Sequence, residues 1–172
     1  PKPDFISPDL VRSTFRDFNK NVFFNFLAKT FDLETSRFLQ KKYNIGTAKH
    51  GGTIFWQKDR DGKFRTGKVF YYQSNGKRDK QKGSWYLHKQ VNKDYRLVQV
   101  FFGEHLITEE PNKPIALCES EKSAILMSVL QPEYNWLAAG GSNMLNVQRL
   151  MRLHRLDLVS PDEGQFELWE KQ

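Results

Sequence analysis

The chain has 172 residues, of which 38% are hydrophobic and 14% aromatic; this suits a folded protein with a sizeable core and excludes a disordered chain. The formal net charge of +7 points to an anionic partner, and no apolar run approaches the roughly 20 residues of a membrane helix, so no membrane partner is expected. A single cysteine, Cys118, excludes an internal disulfide and a cysteine-built zinc site; with no signal-peptide pattern at the start, a reducing cytoplasmic location is expected.

The first 45 or so residues read as helices. Ser7-Pro8 supplies an N-cap with proline at the first helical position, and Leu10, Val11 and Phe15 share one face. In NKNVFFNFLAKTF, Val22, Phe23, Phe26 and Leu27 recur at helical spacing, and LETSRFLQKKY makes a third short helix. From Gly51 the period changes. TIFWQKD and KFRTGKVFYY are aromatic and β-branched runs joined across Asp61-Gly62, a hairpin signal, and Asn75-Gly76 marks a further turn. YRLVQVFF (residues 95–102) is expected as a third strand. Together these predict an antiparallel sheet packed on the helices, an α+β lobe spanning residues 1–110. The polar, proline-bearing TEEPNKP (residues 108–114) is the expected boundary to a second lobe, residues 111–172.

The second lobe reads as β-α-β-α-β: IALC, EKSAILMSVL, YNWLAA, SNMLNVQRLMRL and LDLVS. Short apolar strands alternating with helices predict a parallel sheet buried on both faces. In such a sheet all strand C-termini share one edge, where ligands bind. Glu119, then Gly140-Gly141-Ser142, then Asp162 follow the three strands and so converge there. Two carboxylates and a glycine turn suit a divalent cation and phosphate chemistry, since Mg²⁺ takes one or two carboxylates plus waters and phosphate oxygens. Gly140, Gly141 and Ser142, with Lys122 on the helix after Glu119, are the candidate phosphate-binding residues. Each feature also has a plain structural account. Glu119 can pair with a helix dipole, Gly-Gly can be an ordinary turn, and Asp162 in SPDEG can be a turn residue.

The charge is uneven. Residues 58–89 hold ten basic and three acidic side chains, an excess equal to that of the whole chain. Lys58, Arg65 and Lys68 interleave with aromatics including Trp56, and Lys77, Arg78, Lys80 and Lys82 follow in the loop NGKRDKQKG. One side of the sheet is expected to present these cations, with Trp56 as an aromatic platform, to single-stranded nucleic acid. The alternative is a buried aromatic core and a solvated basic surface. The four histidines show no zinc spacing.

KPIALCESEKSA resembles the opening strand and helix of toprim domains, the catalytic fold shared by bacterial-type primases and topoisomerases. Glu119-Ser120-Glu121-Lys122-Ser123-Ala124 stands where primase versions carry Glu-Gly-Glu-Lys-Asp-Ala or a close variant. WLAAGGSN is similar to the second strand and its glycine turn, and LDLVSPDEG to the third strand and the start of its Asp-x-Asp motif. With FWQKDRDGKFRTGKVFYY, NGKR, WYLH and FGEHLI, the likeness extends upstream. From about Phe5 to Trp169 the chain resembles toprim-related proteins of Bacteroides-type bacteria and their mobile elements. That resemblance implies a bacterial primase-like nucleotidyltransferase acting in DNA replication or mobile-element transfer. Its implied partners are single-stranded DNA, nucleotides and a helicase. Glu119 takes the general acid or base role, and Asp162, Glu163 and Glu119 hold Mg²⁺ or Mn²⁺. It also implies a lobe cut short, because toprim sheets have a further strand, and no zinc here, because the zinc-binding segment of such relatives precedes this region. Two positions depart from the pattern: Gly164 stands at the second acidic position of Asp-x-Asp, and Ser123 stands for the helix aspartate. These departures keep an alternative in view, a non-catalytic single-strand-binding module with a degenerate toprim site. Toprim-type strand cleavage and a nucleotide receptor using the glycine turn are further alternatives.

Overall fold

The computed structural model describes residues 2–141, 144–162 and 169–170. The chain forms two compact units, one of Pro1–Gln57 with Lys63–Val98 and the other of Lys58–Gly62 with Gln99–Gln172. The expected boundary at residues 108–114 thus lies inside the second unit. A buried side chain ties it there: Asn135 Nδ2 donates to Leu106 O at 3.2 Å and to Glu110 O at 2.8 Å. Among the described residues no helix is long and apolar enough to cross a membrane.

The first unit opens with α1 (Pro8–Ser13), whose Ser7 cap accepts from Asp9 N. A 3-10 turn (Phe18–Lys20) leads into α2 (Val22–Thr30), and α3 (Leu33–Lys42) follows, capped by Asp32. Asp32 accepts from Thr35 N at 2.6 Å, and this bond, with that from the Thr35 hydroxyl, holds its carboxyl below the usual range. Four strands then form an antiparallel sheet in sequence order: β1 (Ile45–Thr47), β2 (Thr53–Lys58), β3 (Phe64–Phe70) and β4 (Ser84–Tyr86).

Two of these strands, β1 and β4, were not legible in the sequence. Each has three residues, too few to display a period. Gly46 in β1 is required by close approach, because a Cβ there would lie 2.4 Å from Thr14 Oγ1 and 3.0 Å from Trp56 Nε1. The expected strand at residues 95–102 does not form. Its polar backbone is satisfied singly instead: Arg96 N donates to Asp4 Oδ2 and Arg96 O accepts from Asp4 N. Only Phe102 makes a bridge, antiparallel to Ala138. The Asp61-Gly62 turn is wider than a two-residue hairpin, closing through Gly62 N to Asp59 O at 3.1 Å.

Both faces of this sheet are covered. Ile54, Trp56 and Val69 pack with Ile6 and Val11. On the alternate side Phe55 meets Phe23 at 5.5 Å and Phe70 at 6.0 Å between ring centroids, and Phe23 meets Tyr72 at 4.7 Å. Asn21, fully buried, joins α2 to the sheet. Its Oδ1 accepts from Phe24 N (3.0 Å) and Thr53 Oγ1 (2.9 Å), and its Nδ2 donates to Gly46 O (3.1 Å) and Thr47 Oγ1 (3.2 Å).

The second unit holds α4's successors: after α4 (His88–Val91) in the first unit come α5 (Leu106–Glu109), β5 (Ile115–Cys118), α6 (Glu121–Leu130), β6 (Asn135–Ala138), α7 (Val147–Leu150) and β7 (Leu158–Ser160). The three strands are parallel, in the order β6-β5-β7. α7 is shorter than the sequence pattern suggests, its described helix covering four residues. Leu117 and Leu137 pack with Phe101, Ile115, Ala139, Leu145 and Trp169, while α6 lies against β5 and β6. The whole is an α/β architecture with one antiparallel and one parallel sheet.

Replacing Asn21 by alanine removes a helix cap and strips partners from buried groups of β1 and β2. The expected loss is about 2–3 kcal/mol, read as a lower urea midpoint with an unchanged slope.

Candidate functional site

The parallel register sets the site. Cys118, the last residue of β5, lies opposite Ala138 of β6 and Ser160 of β7. The residues that follow each strand therefore leave the sheet at one rim: Glu119, Ala139-Gly140-Gly141, and Pro161-Asp162. Strand order reverses between β5 and β7, which makes the gap between their ends a topological switch point. The diglycine turn is fastened to the first carboxylate residue through the backbone, Gly140 N and Gly141 N both donating to Glu119 O at 2.9 and 3.1 Å. Gly140 (φ 88°) and Gly141 (φ 144°) adopt backbone angles that side-chain-bearing residues avoid.

One further acid, Glu121, acts on the end of β5. The Cys118 thiol is pushed up by burial first, and then by the carboxylates of Glu121 and Asp162. Cys118 is a buried thiol, and Asp162, two residues after β7, is exposed. Glu119 is half-buried with its Oε2 shielded from solvent; Glu121 is buried, and Lys122 is half-buried. Ser120 caps α6, accepting from Ser123 N at 3.1 Å, and the two hydroxyls lie 2.7 Å apart. Ser123 is thereby committed to the cap. Ser142 and Glu163 lie outside the described residues, as does Gly164.

Arg149 is the residue the sequence reading passed over. It is buried and donates to Ala139 O at 2.8 Å, to Met144 O, and to Val100 O at 3.0 Å, with its guanidinium 4.4 Å from the Phe101 ring centre. It thereby holds both ends of the glycine loop. A signal existed: Arg149 sits four residues from Leu145 and from Leu153, on the apolar stripe of its segment. Behind it, fully buried Glu104 accepts from Phe101 N at 3.0 Å and pairs with Arg152 at 2.7 Å. Asp157 anchors the other end of β5, accepting from Ile115 N at 2.8 Å and pairing with Arg155 at 2.6 Å.

The basic residues divide into two groups. Trp56 is fully buried, its indole nitrogen donating to Thr14 Oγ1 at 3.0 Å, so it offers no ring face to a base. Arg65 and Lys68 are buried as well. Arg65 donates to Asp4 O at 3.1 Å, and the Lys68 ammonium lies 4.6 Å from the Phe70 ring centre. Lys58 pairs with Glu109 at 2.8 Å. Because both sheet faces are core, Arg65 and Lys68 on β3 are buried, one on a backbone carbonyl and the other on an aromatic ring, instead of forming a solvated face. Lys77, Arg78, Lys80 and Lys82 are exposed, as a nucleic-acid contact requires.

Glu119 and Asp162 supply the one or two carboxylates that Mg²⁺ takes when waters and phosphate oxygens complete its shell. Among the described residues no group of three or more His, Cys, Asp or Glu is arranged to hold a metal ion.

A protein-family match covers residues 21–163, and the chain belongs to that family, described as Domain of unknown function (DUF6371). No curated protein and no solved structure matches it.

Two outcomes follow from the site's supports. Arg149→Met leaves three buried carbonyls without their charged donor; a loss of about 3 kcal/mol is expected, with faster amide exchange at Gly140 and Gly141. The Asp157 carboxyl is held below its usual range, first by the Ile115 N–H and then by Arg155. Its contribution is present above the ordinary carboxylate range and is lost as pH falls through the lowered value. Asp157→Asn should flatten the acid side of the stability–pH curve measured by thermal melting.

Proposed function

For this member of the DUF6371 family we propose a primase-related role in which the second unit is a toprim-like lobe handling the phosphates of single-stranded nucleic acid. The observation that carries the reading is the parallel register at Cys118, which gathers Glu119, the diglycine turn and Asp162 at one rim. In this reading Glu119 takes or gives the proton on the reacting hydroxyl. Asp162 and Glu119, with Glu163, hold Mg²⁺ or Mn²⁺, which when bound neutralises phosphate charge and orients the phosphoryl group. In this reading the turn of Gly140 and Gly141 lets backbone approach a phosphate, and Lys122 and Ser142 are the side chains assigned to phosphate binding. Lys77, Arg78, Lys80 and Lys82 supply salt-sensitive attraction for the strand. Nucleotidyl transfer in DNA replication or mobile-element transfer is the reaction class, with nucleotides as co-substrates.

A second reading is favoured by the Ser120–Ser123 pair, which fills an acidic position of the toprim pattern with a helix cap. There the rim binds phosphates without catalysis.

Titration of Mg²⁺ or Mn²⁺ into the protein with labelled single-stranded DNA and nucleotides separates the two. Metal-dependent binding that falls at least about 10-fold in Glu119→Gln, the loss of roughly 1.4 kcal/mol expected for one charged ligand, supports the catalytic reading. Binding that is salt-sensitive, indifferent to metal and unchanged in Glu119→Gln supports the binding-only one.

A further inference from the structure

The first unit carries a groove that neither reading uses. It has a volume of roughly 510 Å³ and is lined by Arg16, Asp17, Lys20, Thr47, Lys49 and His50, with Ala48 and Gly51 as floor. That size lies in the range of ligand sites, about 300–1,000 Å³. Three permanent cations and a histidine share one acid. Asp17 lies 3.3 Å from Lys20 and 3.9 Å from Arg16, whereas no ion pair engages Lys49 or His50 among the described residues. All four basic side chains are exposed.

The backbone holds this arrangement in place. Asp17 (φ 53°) and His50 (φ 56°) both take the left-handed conformation that non-glycine residues seldom adopt. The His50 turn closes through Ala48 N to Gly52 O at 2.8 Å. It packs on the Lys20 segment so tightly that a Cβ on Gly51 would meet Lys20 O at 2.5 Å. The two cation-bearing loops are thus seated against each other.

An aromatic ring lies next to the segment that follows the groove residues in the chain. A Cβ at Gly52 would lie 2.9 Å from Tyr71 Cε1 and 3.2 Å from the methyl of Ala48, a lining residue of the groove, so Tyr71 lies near that lining. Tyr71 is half-buried, and the Lys82 ammonium lies 5.4 Å from its ring centre. Alternation of cations with a partly open ring is what a single strand needs, phosphates meeting the charges and a base meeting the ring.

We propose that this groove is a phosphate site of the first unit, and that it takes the backbone of a single-stranded polynucleotide running from Arg16, Lys20 and Lys49 past Tyr71 to Lys82. It shares the ligand class of the proposed function and none of its carboxylates, so the two can fail separately.

The test is fluorescence anisotropy of the full chain with a labelled 12-nucleotide single-stranded DNA over a salt series, with tripolyphosphate as competitor. Arg16→Gln/Lys49→Gln should weaken binding at least about 5-fold and make the salt slope shallower by about 1.4, at roughly 0.7 per lost strand contact. Lys29→Gln/Lys93→Gln, which removes the same charge elsewhere, should leave affinity within about 2-fold, and Glu119→Gln should leave metal-free binding unchanged. Three results would overturn the proposal: no oligonucleotide binding by the wild type, equal losses in both double variants, or a groove variant that binds DNA as before while losing only tripolyphosphate. Circular dichroism spectra of both double variants should match the wild type; a groove variant that weakens DNA binding only by unfolding counts against it.

Discussion

The second unit depends on one pairing. β5 pairs in parallel with strands on both sides, and its last residue is level with the ends of both neighbours. A one-residue slip would turn Leu117 out of its cluster with Leu137 and Phe101 and into the opposite face, also buried, where Ala116 and Cys118 sit. Apolar packing therefore fixes the register, and the register decides which residues meet at the rim. The chemistry available there is a consequence of core packing two residues away.

Arg149 extends that constraint to the glycine loop. A loop with two glycines has little intrinsic preference for one shape. Here its ends are tied by a buried guanidinium to Ala139 and Met144, and its middle to the Glu119 carbonyl. Burying a cation is costly unless its donors are satisfied. The carbonyls of Ala139, Met144 and Val100 and the face of Phe101 meet that need. The cation thus serves the shape of the rim from beneath.

The first unit shows how burial redistributes charge. The run of cations between residues 58 and 89 is dense in the sequence, yet Arg65 and Lys68 are buried, Lys68 against the Phe70 ring. The long stems of such side chains pack well on rings, and a ring face accepts the charged end. What remains exposed lies in the loop from Lys77 to Lys82 and, from distant parts of the chain, around Arg16, Lys20, Lys49 and His50. Charge counting along the sequence locates the first of these and passes over the second.

The sequence by itself determined the elements whose signals are local. Ser7, Asn21, Asp32 and Ser120 each cap the helix that follows through an atom two or three residues away, and the apolar runs of β5 and β6 mark strands buried on both faces. The convergence of Glu119, Gly140-Gly141 and Asp162 was legible for the same reason, since strand period and strand–helix alternation suffice to imply a shared rim. Only the tertiary structure decided what depends on contacts between distant residues. Trp56 is buried because Thr14 and the α1 segment reach it, the backbone of Arg96 is taken by Asp4, that of Phe101 by Glu104, and Arg149 is claimed by carbonyls as far away as Val100. Such partners lie tens of residues apart, where neither propensity nor periodicity carries information, and only packing selects among them.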